Sequence, residues 1–319
     1  MKAIVCNKYG SPDVLELKEI EKPMPLDNQV LVKVHSASLN FSNLVLLKGK
    51  PFLARFAFGL LRPKYTIPGG DISGVVEAVG KDVKQFQQGD KVFGDLSICG
   101  WGGFAEYVTV PENALALKPT NISFEEAAAT PMASVTALQG LRDKGKIRSG
   151  QKVLIYGASG GVGTFAVQIA KSFGAEVTAV CSTRNLEISN SIGADQIIDY
   201  TKEDFTQKEE RYDLILGVNG SNSISAYKRA LKPNGSFVHV GGGESQMFQS
   251  LVMGPMSGSK KISTLLHKAN QNDLIYMKEL IEAGKVKPVI DKRYTLNEIS
   301  EAFKYFQEGH AQGKVVLTI

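Results

Sequence analysis

A short strand, a glycine-rich loop and a helix follow one another between residues 153 and 173, and this order constrains the fold more than any other feature. The strand, VLIY at 153–156, is apolar throughout. Apolar side chains then recur at helical spacing, at Val162, Phe165, Ile169 and Phe173. Further strand patterns lie at 177–181, 197–198, 214–216 and 237–240. Because strands that alternate with helices are joined by right-handed crossovers, the pattern predicts an α/β fold with a doubly wound parallel sheet.

The loop between that first strand and its helix reads GASGGVG at 157–163. Small residues let the backbone approach a pyrophosphate, and the amides at a helix N-terminus face its negative charge. Against the usual GxGxxG pattern, Ala158 replaces the first glycine, while Gly160 and Gly163 keep the other two. We therefore predict a dinucleotide site here, with a merely tight turn as the alternative. The predicted cofactor contacts in the loop are Ser159, Gly160, Gly161, Val162 and Gly163.

The residues after the second strand distinguish NAD from NADP. An NAD site usually presents a carboxylate there for the ribose hydroxyls, whereas this chain continues Ser182-Thr183-Arg184 with no acid before Glu187. A hydroxyl and the planar donor fork of a guanidinium suit a 2′-phosphate. We therefore predict that Ser182 and Arg184 bind NADPH, and that Tyr200 covers its adenine side. A solvated surface arginine is the alternative for Arg184.

The fourth and fifth strands end in the sequences VNG at 218–220 and VGG at 240–242. Ligands of such sheets bind at the carboxyl ends of parallel strands. The backbone there is therefore predicted to contact the nicotinamide half of the cofactor, through Asn219, Val240, Gly241 and Gly242. For the glycine run 241–243 a flexible turn is the alternative.

The N-terminal part of the chain, to about Pro119, has a different pattern. Short β-branched strands such as 30–34, 74–80 and 91–94 are separated by glycine turns, which indicates a β-rich, barrel-like domain. A capping box, SFEE at 123–126, then opens a helical stretch, and a second one, TLNE, lies at 295–298. At 319 residues, two domains are expected.

Composition and charge make several classes of protein improbable. Cys6, Cys99 and Cys181 form no CxxC pair, so neither a zinc ribbon nor a disulfide framework is expected. The net charge of +5 comes from dispersed Lys and Arg without an aromatic platform, which argues against nucleic-acid binding. The N-terminus lacks an apolar signal segment, and the most apolar stretch, 52–61, is too short to span a bilayer. We therefore expect a cytoplasmic protein without an integral membrane segment.

Several further motifs run through nearly the whole chain: PGGDISGVVEAVG at 68–80, GDKV at 89–92, GFAEY at 103–107, AATP at 128–131, TA at 136–137 and GKVV at 313–316. In this order they resemble the zinc-free quinone oxidoreductases of the medium-chain dehydrogenase/reductase superfamily. Within that family the chain is similar to the bacterial branch close to chloroplast-envelope quinone oxidoreductase homologues.

The resemblance implies a GroES-like β-rich domain and a Rossmann domain. We expect the GroES-like catalytic domain over 1–122, the Rossmann NADPH-binding domain over 123–265, and a return segment over 266–319 that completes the catalytic domain. Family members are commonly dimers, so a homodimer is expected.

The resemblance also separates this chain from the zinc-dependent members. Those carry a Cys ligand near the position of Asn40 and Gly-His-Glu where this chain has Gly70-Asp71. Catalytic zinc takes about three protein ligands, and the histidines here show no paired spacing. No metal is expected. Asn43 occupies a position where many relatives have an acid, so any role of that acid is absent.

Without a Lewis acid, an isolated ketone is harder to reduce, whereas a quinone or enone leaves a delocalised anion after hydride transfer. The resemblance therefore implies an NADPH-dependent reductase of small quinones or α,β-unsaturated carbonyls. It places Asn40 near the nicotinamide and substrate, with a role in orienting a carbonyl, and Thr136 along the cofactor. A capping Asn and a packing Thr are the alternatives.

Two other functions remain open: a non-catalytic NADPH-binding sensor and a zinc-free alcohol dehydrogenase. Only turnover separates the sensor from the reductase. The apolar stretch 52–61 also keeps several interpretations, as part of the local core, a pocket wall, a subunit interface or a membrane-facing surface.

Overall fold

The computed structural model describes residues 1–208, 211–220, 222–242 and 259–319. The chain folds as two units, each with its own sheet. The first unit consists of Met1–Val135, Lys268–Ala283 and Pro288–Ile319. The second consists of Thr136–His267 and Gly284–Lys287.

The first unit is β-rich. Its strands, numbered along the whole chain, are β1 (Lys2–Val5), β2 (Glu16–Glu19), β3 (Gln29–Ser38), β4 (Asp71–Val79), β5 (Lys91–Asp95), β6 (Tyr107–Pro111), β7 (Leu115–Leu117), β14 (Ile290–Thr295) and β15 (Lys314–Thr318). Its main sheet has the order β14-β15-β3-β4-β5-β7, and β6 also pairs with β3. Strand β15 pairs antiparallel with β3, so the last strand of the chain completes the sheet that the N-terminal residues begin.

The helices of this unit connect and cover the sheet. They are α1 (Phe41–Lys48), α2 (Arg55–Phe58), α3 (Phe124–Ala128), α8 (Gln271–Glu282) and α9 (Ile299–Gln307). The capping box at α3 forms as predicted, because the Ser123 hydroxyl accepts from the Glu126 amide at 3.1 Å and the Glu126 carboxylate accepts from the Ser123 amide at 2.8 Å. The second predicted box also forms, at Thr295 and Glu298.

The second unit is the predicted parallel sheet with helices. Its strands are β8 (Lys152–Tyr156), β9 (Glu176–Cys181), β10 (Gln196–Asp199), β11 (Tyr212–Gly220), β12 (Leu231–Gly242) and β13 (Lys261–Thr264). Its helices are α5 (Gly161–Ser172), α6 (Leu186–Ser191) and α7 (Ile224–Ala230). The strands run parallel in the order β10-β9-β8-β11-β12-β13. Counted from β8 this is the order 3-2-1-4-5-6 of a Rossmann sheet, which confirms the predicted fold class.

The division between the units differs from the expected one. It lies at Thr136, inside helix α4 (Pro131–Leu138), and not at Ser123. Helix α3 belongs to the first unit because the ring of Phe124 stacks on His35, with 4.4 Å between ring centroids, and the Ser73 hydroxyl donates to the Phe124 carbonyl at 2.5 Å. A capping box marks where a helix begins but not which sheet the helix packs against.

Candidate functional site

The glycine loop of the second unit is shaped by close backbone contacts. A Cβ on Gly157, which has a φ of +76°, would lie 2.2 Å from the Val218 carbonyl oxygen. A Cβ on Gly163 would lie 2.1 Å from the carbonyl oxygen of Gly157. Only glycine fits these two positions, since real Cβ atoms do not approach backbone so closely. The loop is thereby folded tightly over the start of α5.

Gly160 differs from these two glycines. It is the N-cap of α5, and a Cβ there would meet nothing closer than the Gly157 carbonyl oxygen at 3.7 Å. Gly161 and Val162 form the first turn of the helix, whose amides lack intrahelical acceptors. The open space over Gly160, next to amides at the positive end of a helix dipole, suits a bound anion.

A side chain that sequence reasoning missed connects the loop to the end of β9. The Asn185 amide donates to the Ser159 hydroxyl at 2.8 Å and to the Ser182 hydroxyl at 3.1 Å. Asn185 is buried, whereas Arg184 beside it is exposed. The structure therefore brings together the predicted contacts Ser159 and Ser182. Arg184 precedes Asn185 in the same turn. In the sequence, Asn185 is only a polar residue between a strand and a helix, and such a residue by itself predicts no more than a helix cap.

A second missed residue is Asp199 at the end of β10. One carboxylate oxygen accepts from the Thr183 hydroxyl at 2.5 Å, and the other accepts from the Thr201 hydroxyl at 2.7 Å and the Thr201 amide at 3.0 Å. These hydrogen bonds lower the pKa of Asp199 to about 2. The carboxylate is thus ionised at neutral pH, and it fixes the turn that carries Arg184.

Tyr200 follows directly and is half exposed. Its ring stacks on Tyr156, with 6.1 Å between ring centroids and 24° between ring planes. Both rings line a cleft of about 400 Å³ together with Thr201, Lys202, Glu203, Asp204, Phe205 and Asn222. This volume is within the range of small-molecule sites, and an aromatic wall of this kind suits a flat heterocycle.

The remaining predicted cofactor residues also belong to the second unit. Asn219 has a left-handed backbone with a φ of +52°, and Gly241 has a φ of +65°, so both β11 and β12 turn sharply where they end. Val240 is buried, and Gly242 is the last residue of β12. Gly243 lies outside the described residues. The hydroxyl of Thr136 and Nδ1 of His267 form a hydrogen bond of 3.0 Å, which the sequence did not predict.

Asn40 lies in the first unit, at the N-cap of α1, and is 7% exposed. Its amide nitrogen donates to Asp71 Oδ2 at 2.8 Å, and its amide oxygen accepts from the Lys314 ammonium at 2.5 Å. Lys314 also donates to the Leu39 carbonyl at 2.9 Å. The side-chain nitrogen and the side-chain oxygen of Asn40 therefore each have a hydrogen-bond partner. Its second N–H has no partner among the residues that the structure describes.

The two groups that hold Asn40 form a buried ion pair. The Lys314 nitrogen lies 3.5 Å from Asp71 Oδ2, and Asp71 also accepts from the Met132 amide at 3.1 Å and the Ser38 hydroxyl at 3.2 Å. Burial raises the pKa of the Asp71 carboxyl, and the Lys314 charge opposes that rise. Burial lowers the pKa of Lys314, and Asp71 opposes that change. Each charge persists in the core because the other is present.

Asn43 completes the cap of α1. Its side-chain oxygen accepts from the Asn40 amide at 2.7 Å. Its side-chain nitrogen is buried, and it has no hydrogen-bond partner within the described part of the chain. The Asn43 side chain thus holds the backbone of Asn40, whereas Asp71 and Lys314 hold its side chain.

Across residues 1–208, 211–220, 222–242 and 259–319, no group of three or more His, Cys, Asp or Glu could hold a metal ion. Burial raises the pKa of the thiols of Cys6, Cys99 and Cys181, that of Cys99 to about 12.

Among the residues that the structure describes, no helix is both long and apolar enough to cross a membrane.

The chain is similar to known oxidoreductases along its length. Residues 26–120 match the alcohol dehydrogenase GroES-like domain family, and residues 192–317 match the family described as zinc-binding dehydrogenase. The chloroplast envelope quinone oxidoreductase homolog of Arabidopsis thaliana is 35% identical over 99% of this chain and 98% of its own length. The chloroplastic NADPH-dependent alkenal/one oxidoreductase of the same plant is 37% identical over 99% of this chain and 79% of its own length.

A solved structure extends the similarity to the fold. The quinone oxidoreductase from Coxiella burnetii superposes with a TM-score of 0.90 at 32% sequence identity. The match covers 100% of this chain and 99% of that one. The likeness therefore includes both units.

Proposed function

The chain belongs to the quinone-oxidoreductase branch of the medium-chain dehydrogenase/reductase superfamily, as its motifs predict, and we propose that it transfers a hydride from NADPH to a quinone or an α,β-unsaturated carbonyl. It is an NADPH-dependent oxidoreductase, because relatives named for that cofactor and for these acceptors match nearly all of it. One observation carries the proposal most: Asn185 joins the glycine loop to the turn of Ser182 and Arg184 at the carboxyl edge of a Rossmann sheet.

The described residues fit NADPH. The amides at the start of α5, next to the open space over Gly160, would bind the pyrophosphate. Ser182 and Arg184 would bind a 2′-phosphate, and Tyr200 would cover the adenine. Thr136, Asn219, Val240, Gly241 and Gly242 are proposed to line the nicotinamide half. When bound, NADPH supplies the hydride and its electron pair.

Asn40 is proposed to bind the acceptor oxygen. Hydride transfer leaves negative charge on that oxygen, and the second N–H of Asn40 can donate to it. Because Lys314 binds the amide oxygen of Asn40, it polarises the amide and strengthens that N–H as a donor. The donor is oriented before the reaction begins, which is how such a group lowers a barrier. Solvent then supplies the proton.

Zinc does not fit this site. The matched family is described as zinc-binding, but at the positions where zinc ligands are expected Asn40 and Asp71 are instead engaged with Lys314. An ammonium group in contact with both side chains opposes a divalent cation at the same place. No step of the proposed reaction is derived through a metal.

The test follows oxidation of NADPH and, separately, of NADH against quinones, enones, alkenals and simple ketones, with and without a chelator. We expect NADPH-preferring turnover of quinones or enones that a chelator leaves unchanged. The variant Asn40→Ala should lose on the order of 100-fold in kcat and keep its affinity for NADPH. Asn28→Ala, which removes an exposed amide of the same unit, serves as the matched control.

Two outcomes would contradict the proposal. Tight NADPH binding without turnover of any acceptor indicates a sensor. Chelator-sensitive turnover of simple ketones indicates a metal enzyme.

We further propose that the protein is cytoplasmic and that it is a homodimer, the latter because the resemblance implies one. Light scattering after gel filtration measures the mass in solution, which should be twice the 34.5 kDa of the chain. A mass of one chain at micromolar concentration would contradict the dimer.

A further inference from the structure

A group of large apolar side chains in the first unit is exposed. It lies within ten residues, around the short helix α2. The exposed fractions are 61% for Phe52, 75% for Leu53, 72% for Phe56, 51% for Leu60 and 88% for Leu61. Large exposed apolar side chains grouped in this way indicate an interaction site, whereas single exposed ones need no explanation. We call residues 50–64 the apolar segment.

The apolar segment is held in place by the rest of its unit. The Tyr9 hydroxyl donates to the Gly59 carbonyl at 2.5 Å. The Arg55 guanidinium lies over the Tyr9 ring, 4.5 Å from its centroid, and donates to the Gly49 carbonyl at 3.1 Å. Phe58 packs edge-on against Trp101, with 6.1 Å between ring centroids. The inner side of the segment is thus anchored, and its leucines and the other phenylalanines project outward.

The charged residues in this stretch of the sequence all have the same sign. From Asn40 to Gly70 the sequence has no Asp or Glu, whereas it has five cations: Lys48, Lys50, Arg55, Arg62 and Lys64. Arg62 and Lys64 are exposed, and they line a surface cleft of about 470 Å³ with Asn7, Pro63 and Thr66. A cationic cleft directly beside exposed leucines combines two features of membrane-surface binding.

We propose that the apolar segment docks on the surface of a bilayer that contains anionic lipids. The side chains of Phe52, Leu53, Phe56, Leu60 and Leu61 enter the boundary between headgroups and acyl chains. Arg62 and Lys64 bind lipid phosphates in their cleft. The docking is peripheral, and it does not depend on the proposed reductase function.

A second copy of the chain fits this surface less well. In a two-fold dimer the same patch meets itself. The cations of one apolar segment would then face those of the other, with no acid in residues 40–70 of either copy to offset them. An anionic lipid surface offers both the apolar layer and the opposite charge.

The test is co-sedimentation of the full-length protein with vesicles of phosphatidylcholine alone and of phosphatidylcholine mixed with phosphatidylglycerol. We expect binding to the anionic vesicles and little to the neutral ones. The binding should weaken as salt is added, because salt screens exposed charges. Equal binding to both kinds of vesicle, or to neither, overturns the proposal.

Paired variants test whether vesicle binding depends on the apolar segment or on the protein surface in general. Leu53→Ser with Leu61→Ser should weaken binding at least about tenfold, since each loses a buried apolar contact. The matched control, Met24→Ser with Leu26→Ser, changes two side chains that are 80% and 66% exposed elsewhere in the unit, and it should bind like the parent. In Arg62→Gln with Lys64→Gln, the affinity for anionic vesicles should fall about fivefold for each charge removed. The exposed pair Lys81→Gln with Lys84→Gln serves as its control.

Stabilisation of each variant by NADPH against heat shows that it is folded, whether or not it turns over an acceptor. If the controls weaken binding as much as the test variants, the segment is not the docking site. If vesicles are not bound, and Leu53→Ser with Leu61→Ser converts a dimer to a monomer, the surface is an interface between copies and the proposal is wrong.

Discussion

At the scale of single residues, Gly160 and Gly163 of the same loop differ in the space available for a side chain. A Cβ on Gly163 would collide with backbone at 2.1 Å, whereas a Cβ on Gly160 would lie at an ordinary contact distance of 3.7 Å. The first position is therefore limited by packing. The second position has room for a side chain within the protein, so we infer that a bound ligand is what requires glycine there.

This difference predicts opposite results for two alanine substitutions. Gly163→Ala should destabilise the protein by about 1–3 kcal/mol, because the helix must shift to accept the methyl group. Gly160→Ala should leave stability unchanged within about 0.5 kcal/mol but weaken NADPH binding at least about tenfold. Urea unfolding and NADPH titration measure the two effects. Normal NADPH affinity in Gly160→Ala would place the pyrophosphate elsewhere.

The buried pair of Asp71 and Lys314 leads to a second prediction at this scale. Lys314→Met leaves the Asp71 carboxylate buried without its cation, and it should cost about 3–5 kcal/mol. Adding Asp71→Asn should recover part of that loss, because the buried charge is then removed as well. Urea unfolding of both single variants and the double variant measures this coupling. Losses that simply add would show that the two groups do not interact.

At the scale of elements, the turn after β9 is fixed by the strand beside it. Asp199, at the end of β10, accepts hydrogen bonds from Thr183 and Thr201, and its pKa is lowered to about 2. An acid is therefore present near the proposed 2′-phosphate site after all. Its carboxylate is hydrogen-bonded to two threonines, one of which, Thr183, directly precedes Arg184.

The lowered pKa gives a prediction with a definite sign. A carboxyl whose pKa is lower in the folded than in the unfolded state stabilises the folded state. Its contribution is complete at pH values above its ordinary pKa of about 3.9. That stabilisation is lost as the pH falls from about 4 through about 2. In Thr183→Val the pKa of Asp199 should rise toward its ordinary value, as measured by NMR titration of the carboxyl carbon. Thr109→Val, in the other unit, should leave that pKa unchanged.

At the scale of the whole molecule, the first unit is discontinuous in sequence. Its sheet depends on β15, and the same strand begins with Lys314, which holds Asn40. The C-terminal residues thus complete both the sheet and the proposed acceptor site. The second unit is nearly continuous, and it contains every residue proposed to bind the cofactor.

Ligand linkage gives a prediction for the molecule as a whole. NADPH at 100 times its Kd should stabilise the folded state by about 2.7 kcal/mol, whereas NADH at the same concentration should stabilise it much less. Thermal unfolding with each nucleotide measures this directly. Arg184→Ala should remove most of the difference between them, and Arg148→Ala, outside the proposed site, should keep it. Equal shifts with both nucleotides would show that Arg184 does not select the 2′-phosphate.

Much of the fold could be predicted because its signals are local. The apolar strands, the helix after the glycine loop and both capping boxes were found where the sequence placed them. The predicted residues of the cofactor site remain a prediction, although the structure brings Ser159 and Ser182 together through Asn185. The partners Asn185, Asp199 and His267 were missed, since a polar residue in a loop has many ordinary explanations.

By itself the sequence determined the class of each unit, the glycine loop and the family, because periodicity, turn residues and motifs are properties of neighbouring residues. Only the tertiary structure decided that α3 packs on the first sheet, that Lys314 meets Asn40 and Asp71, and that Asp199 is engaged by threonines. Each of these contacts joins segments that no local pattern relates. They form because folding buries charges and polar groups, which must then find partners wherever the chain brings them.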